Sequence, residues 1–286
     1  MRNPLFTLLQ KIYYGIGGHG LGRIKPLRWA YHFLFGLLKP GSVMVQGHRI
    51  WLDDKDTLEL ATHEVYEPVE TGLFKSKIQA GDTVLDIGAN IGYYTLMAAR
   101  RVGPQGKVYA FEPDPANFRL LEKNVKANGY GNVILVNKAV ADKNGKIRLY
   151  LNPSNRGDHR VYDSKDGRSS IEIEKIALDR FFKPLDKKIH FIKMDIQGAE
   201  ALALEGMKGL VRANKGLKLI TEFSPASLEM AGSRPQSYLK SLQTLGFRFF
   251  EISEKKKSVQ PVKPAQVLKR SWGGSEDYTN LLCVKD

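Results

Sequence analysis

Short apolar runs, rich in β-branched side chains, alternate along this chain with stretches of helical periodicity. Val84-Leu85-Asp86-Ile87 predicts a buried strand. Gly88 to Gly92 then make a turn, and a helix starting near Gly92 carries Leu96, Met97 and Ala98 inward. Lys107 to Phe111 predict a second strand. Ala116 to Asn128 predict an amphipathic helix with Phe118, Leu121 and Val125 on one side and Gly129 as its cap. Further strands are expected at Val133 to Asn137, Ile189 to Met194, Leu217 to Thr221, Phe247 to Ile252 and Asn280 to Val284. Helices fall between them, one opened by Ala199-Glu200 and one from Pro235 to Leu245, where proline suits a first helical position. Strands that alternate with helices predict an α/β fold with a parallel sheet. Lys146 to Tyr150 and Ser170 to Ile176 alternate polar and apolar instead, as paired edge strands do. Asn152 to Ser169 between them form a long polar loop, read as part of a substrate lid in which Arg156, His159 and Arg160 meet an acidic substrate.

Residues 1–57 read as an extension, with the main domain at 58–286. Leu5, Leu8, Leu9 and Ile12 have helical spacing, and Gly15 to Gly20 are a break. Arg23 to Phe35 join a basic start to an aromatic helix. This helix either lies on an anionic membrane surface or packs on the main domain. Val43 to Leu52 predict a β-hairpin about Gln46-Gly47. His63-Glu64-Val65-Tyr66-Glu67 begins like a zinc-protease helix but has Glu67 where the second histidine is needed, which discards a zinc site. That stretch is expected to be a helix ending at Glu67-Pro68, with a second helix following through Leu73 and Ile78.

The apolar fraction of 42% is that of a globular protein able to bury a sizeable core. The single cysteine, Cys283, excludes an internal disulfide and fits a reducing compartment. The formal charge of +14 attracts polyanions: nucleic acid, anionic lipid, or acidic and nucleotide-linked substrates. No apolar run approaches the roughly 18 residues of a spanning helix, and the start lacks a signal-peptide pattern. The expected location is cytoplasmic, with peripheral membrane contact as one option.

The glycine spacing at Gly88 and Gly92 differs from that of dinucleotide binders. Asp86 at the strand end would repel a pyrophosphate and suits a cationic amine, such as that of S-adenosylmethionine. Glu112-Pro113, at the tip of the second strand, places a carboxylate to accept ribose hydroxyls. VLDIGANIGYYT, VYAFEPDPANF and, most specifically, the stretch Lys193-Met194-Asp195-Ile196-Gln197-Gly198-Ala199-Glu200 resemble the FkbM-type S-adenosylmethionine-dependent methyltransferases, from about Leu58 onward. The resemblance implies a Rossmann-like class I methyltransferase fold. Its sheet is seven-stranded and mostly parallel, with an antiparallel last strand inserted between the fifth and sixth. It implies O-methylation of a hydroxyl on a sugar, glycan, lipid or related small molecule, and S-adenosyl-L-methionine as cofactor. The implied cofactor residues are Asp86, Gly88, Asn90, Gly92, Tyr93, Glu112, Pro113 and Asp195. Asn137 and Ala139 lie where the adenine is commonly held, with Asp142 the nearest acid. Glu67 and Glu70 lie in the stretch that covers the cofactor in that family.

Methyl transfer to a hydroxyl requires an aligned acceptor oxygen and removal of its proton. Asp195 and Glu222 are expected at the carboxyl tips of neighbouring strands, with Glu200 a little over one helical turn beyond Asp195. They can serve as general base, orient the hydroxyl, or ligate a divalent cation through hard oxygens. An Asn/Asp-Pro-Pro-aromatic turn, the mark of amino-group methylases of nucleic acids, is replaced here by Asp195-Ile196-Gln197-Gly198. Cys283 lies too far along to be the nucleophile of a cytosine-carbon methylase. RNA ribose methylation stays open on charge, and so does a non-catalytic cofactor-binding scaffold.

Overall fold

The computed structural model describes residues 4–17, 25–184, 187–270, 272–273 and 277–285. The chain divides into two compact units, Met1–Tyr66 and Glu67–Asp286. The first holds α1 (Pro4–Gly17) and α2 (Lys25–Leu38), whose rings Phe6 and Phe35 meet at 5.1 Å. The expected hairpin follows as β1 (Ser42–Val45) and β2 (His48–Trp51). Gln46 and Gly47 both have positive φ (52° and 80°), as a two-residue hairpin turn requires. Asp53 and Asp56 then cap a run of turns: Leu60 N and Ala61 N each donate to the Asp56 carboxylate at 3.0 Å. The helix expected through His63 to Glu67 is absent; Thr62 N and His63 N both close back on Glu59 O in a turn, and bends follow to Glu67. Pro68 does not end a helix here but starts one, in the first turn, where its missing N–H costs nothing.

The second unit begins with α3 (Pro68–Lys77) and proceeds through β3 (Thr83–Ile87), α4 (Tyr93–Val102), β4 (Lys107–Phe111), α5 (Pro115–Ala127) and β5 (Val133–Val136). A small side sheet follows: β6 (Ala139–Val140), β7 (Gly145–Tyr150) and β8 (Ser170–Ile176), with β7 and β8 antiparallel as the alternation predicts. After α6 (Leu178–Phe181) come β9 (Phe191–Met194), α7 (Glu200–Glu205), α8 (Lys208–Ala213), β10 (Lys218–Phe223), α9 (Pro225–Met230) and α10 (Pro235–Thr244). The chain closes with β11 (Phe247–Ser253), β12 (Ser258–Pro261), α11 (Pro264–Leu268) and β13 (Thr279–Lys285).

The large sheet has the order β12-β11-β13-β10-β9-β3-β4-β5. Strands β10, β9, β3, β4 and β5 pair in parallel, and β13 runs antiparallel between β10 and β11. The mostly parallel sheet with an inserted antiparallel last strand is thus as expected, but it has eight strands, not seven. The extra one, β12, turns back on β11 across Glu254 to Lys257. Its half-exposed Ser258-Val259-Gln260-Pro261 gives no apolar signal, and Pro261 suits an edge. Both faces of the sheet are covered by helices, so β3, β9 and β10 are almost wholly buried. Cys283 is a buried core side chain of β13.

Candidate active site

The site is built at the carboxyl ends of β3, β4 and β9. Gly88 has φ +85°, and a Cβ there would lie 2.0 Å from the carbonyl oxygen of Asp195. The turn is stitched to both neighbouring strands: Gly88 N donates to Phe111 O at 2.9 Å and Asp195 N to Ile87 O at 3.0 Å. Glycine is needed here because only its backbone fits between two strand ends. Asp86 is buried below the turn, and its Oδ2 accepts the Thr95 hydroxyl at 2.5 Å. Burial pushes its pKa up to about 6, with Thr95 and Lys193 acting the other way.

Glu112 ties the glycine loop to the second strand. Its Oε2 accepts from Asn90 N at 2.8 Å and its Oε1 from Asp114 N at 2.9 Å. Burial outweighs these bonds and pushes the carboxyl up to about 8. Asn90 sits at φ 50°, and its side-chain Oδ1 is buried with no hydrogen-bond partner among the described residues. Asn137 Nδ2 donates to Glu112 O at 2.7 Å and to Pro113 O at 3.2 Å, and Ala139 is buried in β6. Asn90, Glu112 and Asn137 are thus linked through Glu112 beside the Gly88 turn, whereas Ala139 packs in the side sheet with Leu149 and Ile173. Gly92 serves a different end: a Cβ on it would strike Leu121 Cδ1 at 2.7 Å, so its smallness lets α4 approach α5.

Beside this loop lies an acid-rich basin with Lys193 at its centre. Lys193 is buried, with Nζ 3.0 Å from Glu70 Oε1 and 3.3 Å from Asp195 Oδ2, and 5.1 Å from the Tyr94 ring. Glu70 is wholly buried and Lys193 is the cation that compensates it. Burial opposes the ammonium, but Glu70, Asp195 and Glu67 outweigh it and hold Lys193 charged. Glu67 accepts the Tyr94 hydroxyl at 3.2 Å and Asn280 Nδ2 at 3.4 Å. Burial, reinforced by the Glu70 charge, pushes Glu67 up to about 8. The Tyr93 hydroxyl meets Thr71 Oγ1 at 3.3 Å, and its ring packs edge-on against Tyr94 at 5.2 Å.

The structure brings Asp195 and Glu222 together through one amide: Gln197 Nε2 donates to Asp195 Oδ1 at 2.9 Å and to Glu222 Oε2 at 3.3 Å. Glu222 is the last residue but one of β10, and burial, with the Asp195 charge, raises its pKa well above the usual range. Glu200 is turned to the backbone, where its Oε1 accepts from Ile196 N and Gly198 N at 3.1 and 3.2 Å. It closes the turn that presents Asp195. Among the described residues no group of three or more His, Cys, Asp or Glu is placed to hold a metal ion.

Two other expectations change. The long loop between β7 and β8 does not hold its cations out for a substrate. His159 Nε2 lies 3.3 Å from Asp114 Oδ2, and Arg160 pairs with Asp158 at 2.6 Å. Arg156 stands 3.8 Å from Asp114. Asp142 pairs with Lys175 at 2.7 Å and so has its own structural partner. Sequence reading missed Lys193, Tyr94, Gln197 and Asn280 as site residues. For Lys193 a signal exists: a lysine inside the buried run Phe191-Ile192-Lys193-Met194 demands a buried counter-charge.

Comparison with known proteins adds the following. The methyltransferase FkbM domain matches residues 86–249. "Methyltransferase 1" of Beauveria bassiana (strain ARSEF 2860) is 25% identical over 144 residues, covering 43% of this chain and 57% of that protein. A protein-L-isoaspartate O-methyltransferase of Ignicoccus hospitalis is 36% identical over 76 residues, 27% of this chain and 34% of that one. The chain therefore spans little more than half, or about a third, of these relatives' lengths. Among solved structures, an S-adenosylmethionine-dependent O-methyltransferase of Thermotoga maritima shows a TM-score of 0.44 and 16% identity, over 86% of this chain and 78% of that one.

Proposed function

The chain belongs to the FkbM methyltransferase family, and we propose that it carries out S-adenosylmethionine-dependent O-methylation of a hydroxyl on a sugar, glycan, glycolipid or related small molecule. The residues fit the cofactor by their chemistry. Buried Glu112 has acceptor capacity for ribose hydroxyls beyond its two backbone bonds. Asn90 Oδ1 is an unused buried acceptor beside the Gly88 turn, and the acids around Asp86 suit a cationic donor. Asn137 and Ala139 border the same loop on the side of β6. When bound, S-adenosylmethionine supplies an electrophilic methyl group on a sulfonium.

The observation that carries the O-methylation reading is the setting of Asp195. Its side chain keeps 27% of its exposure at the end of β9, while Lys193 and Glu70 beside it are buried. Lys193 and Gln197 hold the carboxylate from two sides. Asp195 is thus fixed, open to an incoming hydroxyl, and able to accept its proton. Glu222 and Glu67 line the same basin. Burial keeps both carboxyls largely protonated, so they offer hydrogen-bonding groups and little net charge, which suits a neutral polyhydroxyl acceptor.

Calorimetric titration with S-adenosylmethionine tests the cofactor half. Binding by the intact protein and its loss in Asp86→Ala/Glu112→Ala is the expected result, and no binding by the intact protein counts against it. A labelled-donor screen over neutral glycans, glycolipids and RNA then tests the acceptor. Asp195→Asn should keep cofactor affinity while turnover falls at least about a hundredfold. Label in RNA ribose alone, with binding that weakens steeply in salt, would replace the carbohydrate reading.

A further inference from the structure

The first 52 residues carry seven lysines and arginines and no aspartate or glutamate; the first acid of the chain is Asp53. Such a segment is cationic without internal compensation. Its two helices also leave apolar side chains on their surfaces. On α1, Leu8 and Ile12 are 54% and 49% exposed, one helical turn apart on one face. On α2, Leu37 is 70% exposed, with Phe33 and Leu34 on the same side. Phe6 and Phe35 are directed instead at each other, so the hairpin of helices does have an interior. Exposed leucines and isoleucines clustered on helix faces are costly in water, and a purely soluble segment has no need of them. Among the described residues no helix is long and apolar enough to cross a membrane.

We propose that this helical pair docks on the surface of an anionic lipid bilayer. The exposed faces of α1 and α2 enter the boundary between headgroups and acyl chains, and the net positive charge of the segment draws it to the anionic headgroups. Both features are needed: charge alone fits RNA equally well, but Leu8, Ile12 and Leu37 have no role on a polyphosphate. A second copy of the chain would accept the apolar faces but would bring one acid-free cationic segment against another. The inference is independent of the reaction proposed above, and neither fails with the other.

The test is flotation of the full chain with vesicles of phosphatidylcholine alone and of phosphatidylcholine mixed with phosphatidylglycerol. Binding is expected to the mixed vesicles and not to the neutral ones, and to weaken when salt is raised to about 1 M, where the Debye length falls to about 3 Å. Leu8→Gln/Ile12→Gln/Leu37→Gln changes exposed positions only and should cut vesicle affinity at least about tenfold. Lys11→Gln/Lys25→Gln/Arg28→Gln keeps Leu8, Ile12 and Leu37 and should remove the preference for anionic vesicles. S-adenosylmethionine titration of each variant reports whether the remainder of the chain is folded. The proposal is overturned if the intact protein floats with neither vesicle, if both variants float like it, or if it binds RNA or dimerises through these residues while ignoring vesicles.

Discussion

Gly88 and Asp195 touch backbone to backbone, so the glycine turn after β3 and the acidic turn after β9 are one structural unit. Two sequence motifs more than a hundred residues apart are locked together by the absence of a side chain. Gly88→Ala would force a Cβ into the Asp195 carbonyl at a φ that L-residues avoid. We expect a loss of at least about 2 kcal/mol in denaturant unfolding, together with weakened S-adenosylmethionine binding. A variant with unchanged midpoint and affinity would show that the two turns can move apart freely.

Lys193 is the counter-charge of the basin. Lys193→Met leaves Glu70 buried beside Asp195 with no cation, which should cost about 3–5 kcal/mol. Adding Glu70→Leu removes the stranded charge and should recover much of that loss. A double-mutant cycle in urea measures the coupling; additive losses would mean that the two side chains do not depend on each other.

Asp114 has two separable duties. Its Oδ1 accepts from Ala116 N at 2.8 Å and caps α5, while its Oδ2 holds His159 of the long loop. Asp114→Ala should therefore cost about 1 kcal/mol of global stability through the lost cap and also speed hydrogen exchange in residues 152–169. His159→Ala should speed exchange in that loop alone. If His159→Ala leaves exchange untouched, the loop is held by its other bonds, such as Asn117 Nδ2 to Arg156 O.

The period of the apolar runs made the parallel sheet legible, and the close glycines and strand-end acids marked Asp86, Gly88 and Glu112 in advance. What the sequence hid was partnership. Nothing local shows that Glu200 faces the amides of Ile196 and Gly198 while Asp195 faces Lys193. Asn280 reaches Glu67 across more than two hundred residues, a contact set by the insertion of β13 and by no pattern near either residue. The cations of the 152–169 loop were read as free because their acids, Asp114 and Asp158, lie where charge runs look solvated. Strand β12 escaped because a half-exposed edge strand needs few apolar residues.

The buried carboxyls give the unliganded protein a pH dependence of unusual sign. Burial raises Glu67 and Glu112 from an ordinary 4.5 to about 8, Glu200 to about 7 and Asp86 to about 6. An acid whose folded pKa lies above its unfolded value binds its proton more tightly when folded. Its contribution is fully present below the unfolded pKa and is lost as pH rises through the folded one. His190, lowered by burial, acts in the opposite sense, but only below its ordinary value of 6.5. Between about pH 6.5 and about pH 8.5 the acids dominate, and stability should fall by up to roughly 1.4 kcal/mol per pH unit for each proton released. Urea midpoints across that window check it. Glu67→Gln/Glu112→Gln, neutral at every pH, should flatten the slope. A wild-type midpoint that rises from neutral to alkaline pH would show that the basin is already ionised, with Lys193 and the backbone donors outweighing burial.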